Sequence, residues 1–497
     1  MTPEERFNEL KPLILAAVRA CSAAVLGHLA EDAYVPTRFS DYAYKVSYWD
    51  KSLMPRVERK SSLGGALDYS RIFVRDPEKA GVKAIAYSSI DELMDLRNWV
   101  IEQPDIVEIL APPKVPTREE FDEDDIFGPA FMVELGAFDL ALGIVDYLAH
   151  TSGLEEIDQE ELDTLASSIA WGLVTPEPHI ETVAPLLLAR FEDEERVDLV
   201  GYLALEKMSE TFIREKARAR SGNQLDSTLS DCATHALVRT GHYLVDRKRP
   251  WRLKEATWPT QDFDLFLSCL RAATGTDTGY NQIVVRPVGW DQGFRADLRE
   301  LARNLEQSNY PRRIGQHGWL SETPFVSTEE LRQADALYEV VQGLDSVHPI
   351  RVALRRLSTG MLRSEPSDAL LDYCIGLEAL LGEDSPSEVT HKLALRAAAV
   401  LRATDEDADA REVFDAVKLV YRTRSKVVHG RTGKNPEITI GSTTLTATEA
   451  ALFVLRRALQ AVILNRSIWK PKAVDELLIL GAFGELPTLQ TETAEEE

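Results

Sequence analysis

The chain has 497 residues, 44% of them hydrophobic and 28% charged, with a net charge of −25. Its length exceeds what one hydrophobic core usually serves, which predicts two or three domains. The charge argues against a general coat for nucleic acid or anionic membrane, whose phosphates the whole-molecule field repels, and leaves room for a local basic site. The opening MTPEERFNEL is acid-rich and lacks the apolar core of a signal peptide, and no later apolar run approaches a bilayer span. Cys21, Cys232, Cys269 and Cys374 lie far apart and form no CxxC pair. A cytoplasmic protein with reduced thiols and no membrane partner is the expectation.

Along the chain, Phe7, Leu10, Ile14, Val18, Cys21 and Val25 recur at helical spacing and predict a helix over 5–30. Its regular part is expected to start at Pro12, which suits a helix interior poorly. The runs RIFVR, VKAIAYS and IVEIL between Arg71 and Leu110 read as strands, so residues 1–112 form a small α+β unit. The segment PPKVPTREEFDEDDIFGP follows, with six carboxylates between Glu119 and Asp125. It reads as an exposed linker rather than a divalent-cation site, since EF-hand spacing with its Gly is missing.

Residues 113–345 read as mostly helical, with no role assigned. Helices are expected at 131–151, 156–172, 180–191, 196–218, 227–246, 261–273, 293–307 and 328–343. Ser327 and Glu330 form a capping box at the start of the last, and NQIVVRPVGW is a strand-like interruption. No solenoid-type repeat occurs.

Signals sharpen over residues 346–480. A helix is expected over 351–362. Pro366 opens a second that Gly382 stops, and Ser385-Pro386-Ser387-Glu388 caps a third through Leu393, Ala397 and Val400. A fourth runs from Ala410 to Val428 and ends at Gly430. PEITIGSTTL reads as a hairpin, and the capping box Thr446-Ala447-Thr448-Glu449 leads a long final helix. Short connections predict an antiparallel bundle with a small β-hairpin insert. The tail 481–497 is acidic and expected to be disordered. The fold class is therefore mainly α.

Two charges fall on apolar stripes of this bundle. Val413, Val417, Val420 and Tyr421 lead to position 424, which is Arg, and Leu371 and Ile375 lead to position 378, which is Glu. A charge facing a core needs a partner or a wet notch, so Glu378 and Arg424 are expected to meet between their helices. His429 lies about 140° round the helix from Arg424, on the edge that carries Lys418, Arg422 and Ser425. It ends the helix, where the macrodipole favours a cation. Lys418 to Lys434 holds six Lys or Arg and no acid, which makes a local anion-attracting patch.

The pattern Arg-x4-His is weak alone, and the chain carries a second copy at Arg312–His317 in an apparent loop. The ordered set LLDYCIGLEALLG (370–382), HKLALRAAAVL (391–401) and YRTRSKVVHG (421–430) is more specific. Over residues 350–475 it resembles the HEPN superfamily, and within it the Apea-like HEPN domain. The resemblance implies a helical bundle that often forms homodimers through the motif-bearing helices. In catalytic members it implies endoribonuclease activity without metal or other cofactor. Carried over, Arg424 and His429 are the catalytic pair and Glu378 their acidic companion. Ser425 takes the place after Arg where active members often carry Asn, Asp or His. Lys418, Arg422, Ser425, Lys426 and Arg431 would hold RNA phosphates. The expected role is a stress or phage-defence effector, with a trigger ligand or protein acting on the N-terminal region. The alternative is a non-catalytic scaffold or RNA-binding module that acts through dimerisation.

Other motifs carry less. Cys232, His235 and His242 offer three zinc-type ligands without a fourth. Gly430–Lys434 lacks the spacing of a phosphate loop and reads as a turn after a helix. Trp251, Trp258 and Trp290, near Arg249, Arg252 and Arg286, read as core aromatics rather than base-stacking residues.

Overall fold

The computed structural model describes residues 1–37, 43–60, 67–110, 129–193, 195–219, 227–244, 260–301, 303–383, 389–404, 409–430 and 436–480. These are mainly helical and include a six-stranded sheet. The acidic segment around Glu119–Asp125, the Ser385–Glu388 box, Trp251, Trp258, Arg249, Arg252, Arg431, Lys434 and the tail lie outside the described residues.

The first helix, α1 (Pro3–Ala30), starts at a Thr2–Glu5 capping box and carries Pro12 inside it. The expected start at Pro12 is thus too late. Pro12 is exposed, so the missing N–H faces water while the Thr2 cap supplies a strong start. A hairpin of β1 (Ala43–Tyr48) and β2 (Pro55–Lys60) follows, then the parallel pair β3 (Phe73–Val74) and β4 (Ile85–Ala86). Next come α2 (Asp91–Ile101), α3 (Pro104–Leu110), α4 (Pro129–Thr151) and α5 (Gln159–Val174). Of the three predicted strand runs, two supply only β3 and β4. The third, IVEIL, is helical in α3, where burial of Ile106 overrides its β-branched preference. By length and composition α1 is apolar enough to cross a membrane. In this fold its stripe of Leu10, Ile14, Val18, Cys21 and Val25 is fully buried against α2, α4 and α5.

The middle of the chain holds β5 (His179–Leu187), β6 (Arg190–Phe191), β7 (Val197–Asp198), β8 (Leu203–Lys207), α6 (Glu210–Arg218), α7 (Ser227–Asp231), β9 (Ala233–Tyr243) and α8 (Thr260–Thr274). It continues through β10 (Tyr280–Pro287), β11 (Phe294–Arg295), β12 (Leu298–Arg299), β13 (Arg303–Asn309), β14 (Phe325–Val326) and α9 (Thr328–Gln342). Six of these strands form an antiparallel sheet in the order β13-β10-β5-β9-β8-β7. The expected helices at 180–191, 227–246 and 293–307 are therefore largely strands, and 196–218 divides into β7, β8 and α6. The reason is burial on both faces. In β5, Ile180, Ala184 and Leu186 face α8 and α9, while Val183 faces the layer built from α6 and the β1–β2 hairpin. A strand covered on both sides reads as a continuous apolar run without alternation. The Ser327–Glu330 box does start α9, and β10 is the strand read from NQIVVRPVGW.

The C-terminal elements are α10 (Pro349–Leu362), α11 (Pro366–Leu381), α12 (Val389–Thr404), α13 (Ala410–Val428), β15 (Glu437–Ile440), β16 (Thr443–Thr446), α14 (Ala447–Leu464) and α15 (Pro471–Leu480). Helices α10 to α14 pack as a bundle, with the β15–β16 hairpin inserted before α14. Their agreement with the sequence reading follows from explicit stops and starts: Pro366 at N1, Asp409 capping α13 and Thr446–Glu449 capping α14. Gly376 lets α14 come close, because a Cβ there would lie 2.7 Å from Leu455.

The bundle shares one hydrophobic core with the sheet face that carries α8 and α9. Polar contacts cross the same seam. Arg456 of α14 donates to the carbonyls of Ala272 (3.2 Å) and Ala273 (2.8 Å), and Gln460 donates to Ala272 at 2.6 Å. These carbonyls end α8 and have no intrahelical donor, so α14 caps its neighbour. Burial pushes the Arg456 guanidinium down to about 10.

Candidate active site

Helix α13 carries most of the proposed site. Asp409 starts it by accepting from the backbone N–H groups of Arg411 (2.7 Å) and Glu412 (3.2 Å). Gly430 ends it at φ +65°, a left-handed conformation that favours glycine. The Glu412 carboxylate accepts from Gly441 N–H at 2.7 Å, which ties the hairpin turn to the first turn of α13. Val413, Val417, Val420 and Tyr421 are buried as the apolar period requires, whereas Val428 is 56% exposed because the core ends before the last turn.

Arg424 and Glu378 do meet between α13 and α11, with Nη2 to Oε1 at 3.8 Å. Their side chains are 38% and 32% exposed, so the pair stands at the rim of the seam rather than in the core. The buried stripe of α11 runs through Leu370, Tyr373, Cys374 and Leu377, with Leu371, Ile375 and Glu378 along its half-buried edge. Phase placed both charges on the contact between helices but could not show that the contact opens to water there. Arg424 Nε is buried and makes no hydrogen bond. At 3.8 Å the Glu378 interaction is an ion pair and not a hydrogen-bonded fork. The guanidinium thus has donors to spare on the solvent side.

A second contact, which sequence phase did not reveal, lies beneath this pair. Tyr421 Oη donates to the Cys374 carbonyl at 3.2 Å. Burial, then the Cys374 sulfur and the Glu378 carboxylate, push the phenol far above its ordinary range. Burial and Glu378 raise the Cys374 thiol to about 12. Both groups stay protonated at neutral pH, so Arg424 and Glu378 are the charged members of this corner. Tyr421 read as one more stripe residue; a phenol among valines was the available signal, since a buried hydroxyl needs an acceptor.

His429 is exposed at the end of α13, with its backbone N–H donating to the Ser425 carbonyl at 3.2 Å. Arg422, Ser425 and Lys426 are exposed along the same helix and Lys418 is half-buried. Lys418 Nζ lies 5.1 Å from the Phe414 ring, a cation–π contact that fixes its stem. Arg431 is outside the described residues. The structure therefore brings Arg424 and Glu378 together and aligns Lys418, Arg422, Ser425 and His429 on the neighbouring face. It leaves His429 and Arg424 on different faces of one helix, as their five-residue separation requires. One copy of α13 thus presents a guanidinium and an imidazole that do not converge.

The competing motifs resolve differently. Arg312–His317 is a loop: Arg312–Gly315 forms a 3-10 turn, Arg313 pairs with Asp277, and His317 packs against Trp319. His235 and His242 sit on one extended strand, roughly 20 Å apart at its rise per residue, too far to share an ion. His235 bonds the Asp193 carbonyl, and Cys232 the Thr228 carbonyl. No cluster of three or more metal-type ligands occurs among the described residues. Trp290 is buried and donates to the His179 carbonyl, while Arg286 pairs with Glu181 and Glu206. Both belong to packing and ion-pair networks of the sheet.

No protein-family model, curated protein or solved structure matches this chain.

Proposed function

We propose that the protein is a metal-independent endoribonuclease of HEPN type, with Arg424 and His429 as the catalytic residues and Glu378 positioning Arg424. The observation that carries this reading is the Arg424–Glu378 pair, held at 3.8 Å across two helices yet more than a third open on the Arg side. RNA brings its own nucleophile, the 2′-hydroxyl. The His429 imidazole takes that proton or returns one to the leaving 5′ oxygen. Arg424, with its unused donors, holds the phosphate and stabilises the added charge of the phosphorane. Lys418, Arg422, Ser425 and Lys426 track the backbone beside it, and Arg431 extends the same basic run. A two-fold homodimer through this face puts two Arg and two His in one groove, which answers the divergence of the pair within one copy. The setting inferred from the resemblance is a stress or phage-defence response, with the remainder of the chain restraining or triggering the bundle.

A second reading has its own support. The Tyr421–Cys374 bond beneath Arg424–Glu378 makes the corner a fastener between α11 and α13, which also suits a non-catalytic scaffold or RNA-binding module. Purified protein incubated with end-labelled RNA in EDTA, beside Arg424→Ala and His429→Ala, separates the two. Cleavage that survives chelation and disappears in both variants supports the nuclease. Equal RNA retention without cleavage by all three supports the scaffold.

A further inference from the structure

A cavity of about 520 Å³ lies where α4 and α5 meet the segment that leaves β10, and no residue of α13 lines it. That volume suits a small organic molecule. Its wall is a built surface. Gly172 of α5 lets the backbone of Asp291 approach, since a Cβ there would stand 2.6 Å from the Asp291 carbonyl oxygen. Asp291 N–H donates to the Ser168 carbonyl at 3.1 Å. Gly143 of α4 does the same for Phe294, whose carbonyl oxygen would lie 3.0 Å from its Cβ. The loop 290–294 is therefore clamped on two helices, and Asp291 is held where it is.

Asp291 is the unusual member of the lining. It is only 6% exposed, and among the described residues its carboxylate makes one ion pair and no closer polar contact. Its nearest cation, Arg299 Nη1, stands 3.7 Å away, beyond hydrogen-bond reach. One ion pair leaves most of the acceptor capacity of this carboxylate unused, and the cavity it lines is where a further donor has room to sit. The surroundings have the matching sign. Asp68, Asp139 and Glu300 also line the cavity, against two guanidiniums, those of Arg71 and Arg295. Arg71 is engaged by Asp68 at 3.3 Å, and Arg295 by Glu300. Tyr87 and Trp290 contribute aromatic surface. The Tyr87 phenol is pushed up to about 12 by burial and then by Asp139 and Asp68, so those negative charges are felt at the wall.

We propose that this cavity binds a small organic cation, a protonated amine, amidine or guanidine on an apolar stem, with Asp291 accepting its N–H donors. The carboxylates supply charge-assisted hydrogen bonds, and the tyrosine and tryptophan rings supply a face for the cation and its stem. The inference is independent of the ribonuclease reading, because it uses neither the bundle nor its basic face.

The test is calorimetric titration of the full chain with benzamidine and with its neutral isostere benzamide, repeated on Asp291→Asn and on Leu135→Trp, which fills the cavity from α4. Benzamidine is expected to bind one site and benzamide not to saturate. Asp291→Asn is expected to weaken benzamidine roughly tenfold to a hundredfold, the range for a hydrogen bond to a charged group. Leu135→Trp is expected to abolish binding, and it decides the matter if Asp291→Asn does not fold. Equal binding of the two ligands, undiminished binding in either folded variant, or no saturation by benzamidine at millimolar concentration overturns the proposal. So does binding of calcium or magnesium that Asp291→Asn removes when benzamidine does not bind, which would make the cavity a metal site.

Discussion

The Arg424–Glu378 pair allows stability and chemistry to be separated, and Glu378→Gln is the perturbation that does so. The charges are 3.8 Å apart. At that distance an ion pair is worth about 1 kcal/mol in bulk water and about 4 kcal/mol at the effective dielectric of a protein surface. Each side chain is a third or more exposed, so solvent screening brings the net value toward the lower figure, about 1 kcal/mol or less. Glu378→Gln keeps the shape and removes only the charge, so it should lower the melting temperature by no more than about 2–4 °C. A double-mutant cycle with Arg424→Gln, read by chemical denaturation, should give a coupling of about 1 kcal/mol or less. RNA cleavage by Glu378→Gln should fall by much more than this stability change explains, because the misplaced guanidinium is the loss. A coupling above roughly 3 kcal/mol refutes the reasoning. It would mean a desolvated pair that sets helix register, the behaviour of a fastener.

Further outcomes follow from neighbouring contacts. Arg396 is buried, forks onto Asp475 at 2.7 and 2.5 Å and donates to the Leu381 carbonyl at 2.7 Å; Arg396→Ala should cost about 3 kcal/mol by denaturant titration, with Arg396→Met recovering part through its stem. Hydrogen bonding from Arg396 holds the Asp475 carboxyl below the usual carboxylate range. Its folded pKa is lower than its unfolded one, so its stabilisation is present above the unfolded value of about 4 and lost as pH falls through the folded value. The melting-temperature gap between wild type and Asp475→Asn should therefore be full at pH 7 and close below about pH 4. Tyr421→Phe should cost about 1 kcal/mol through the lost bond to the Cys374 carbonyl, measured by the same titration.

The sequence was legible where local chemistry and tertiary packing agree. Pro366, Asp409 and the Thr446–Glu449 box state their helix boundaries outright, and the 3.6-residue period then puts Arg424 and Glu378 on facing edges. It was illegible where a strand is buried on both sides. HIETVAPLL and ATHALVRTGHY carry little alternation because β5 and β9 lie between two hydrophobic layers, so they read as helices. Phase also gave the direction of Glu378 and Arg424 without their exposure, since exposure depends on where the bundle core stops. The cavity beside Asp291 left no local trace at all. It is made by glycines of α4 and α5 meeting a loop more than a hundred residues later, and only the fold brings these together.

The most direct test of the central claim compares an RNA oligonucleotide with the same sequence made entirely of 2′-deoxy residues, both in EDTA. The wild-type chain should cleave only the RNA and leave 2′,3′-cyclic phosphate ends, and Arg424→Ala and His429→Ala should leave it intact. Cleavage of the deoxy substrate, or RNA cleavage undiminished in both variants, would contradict it.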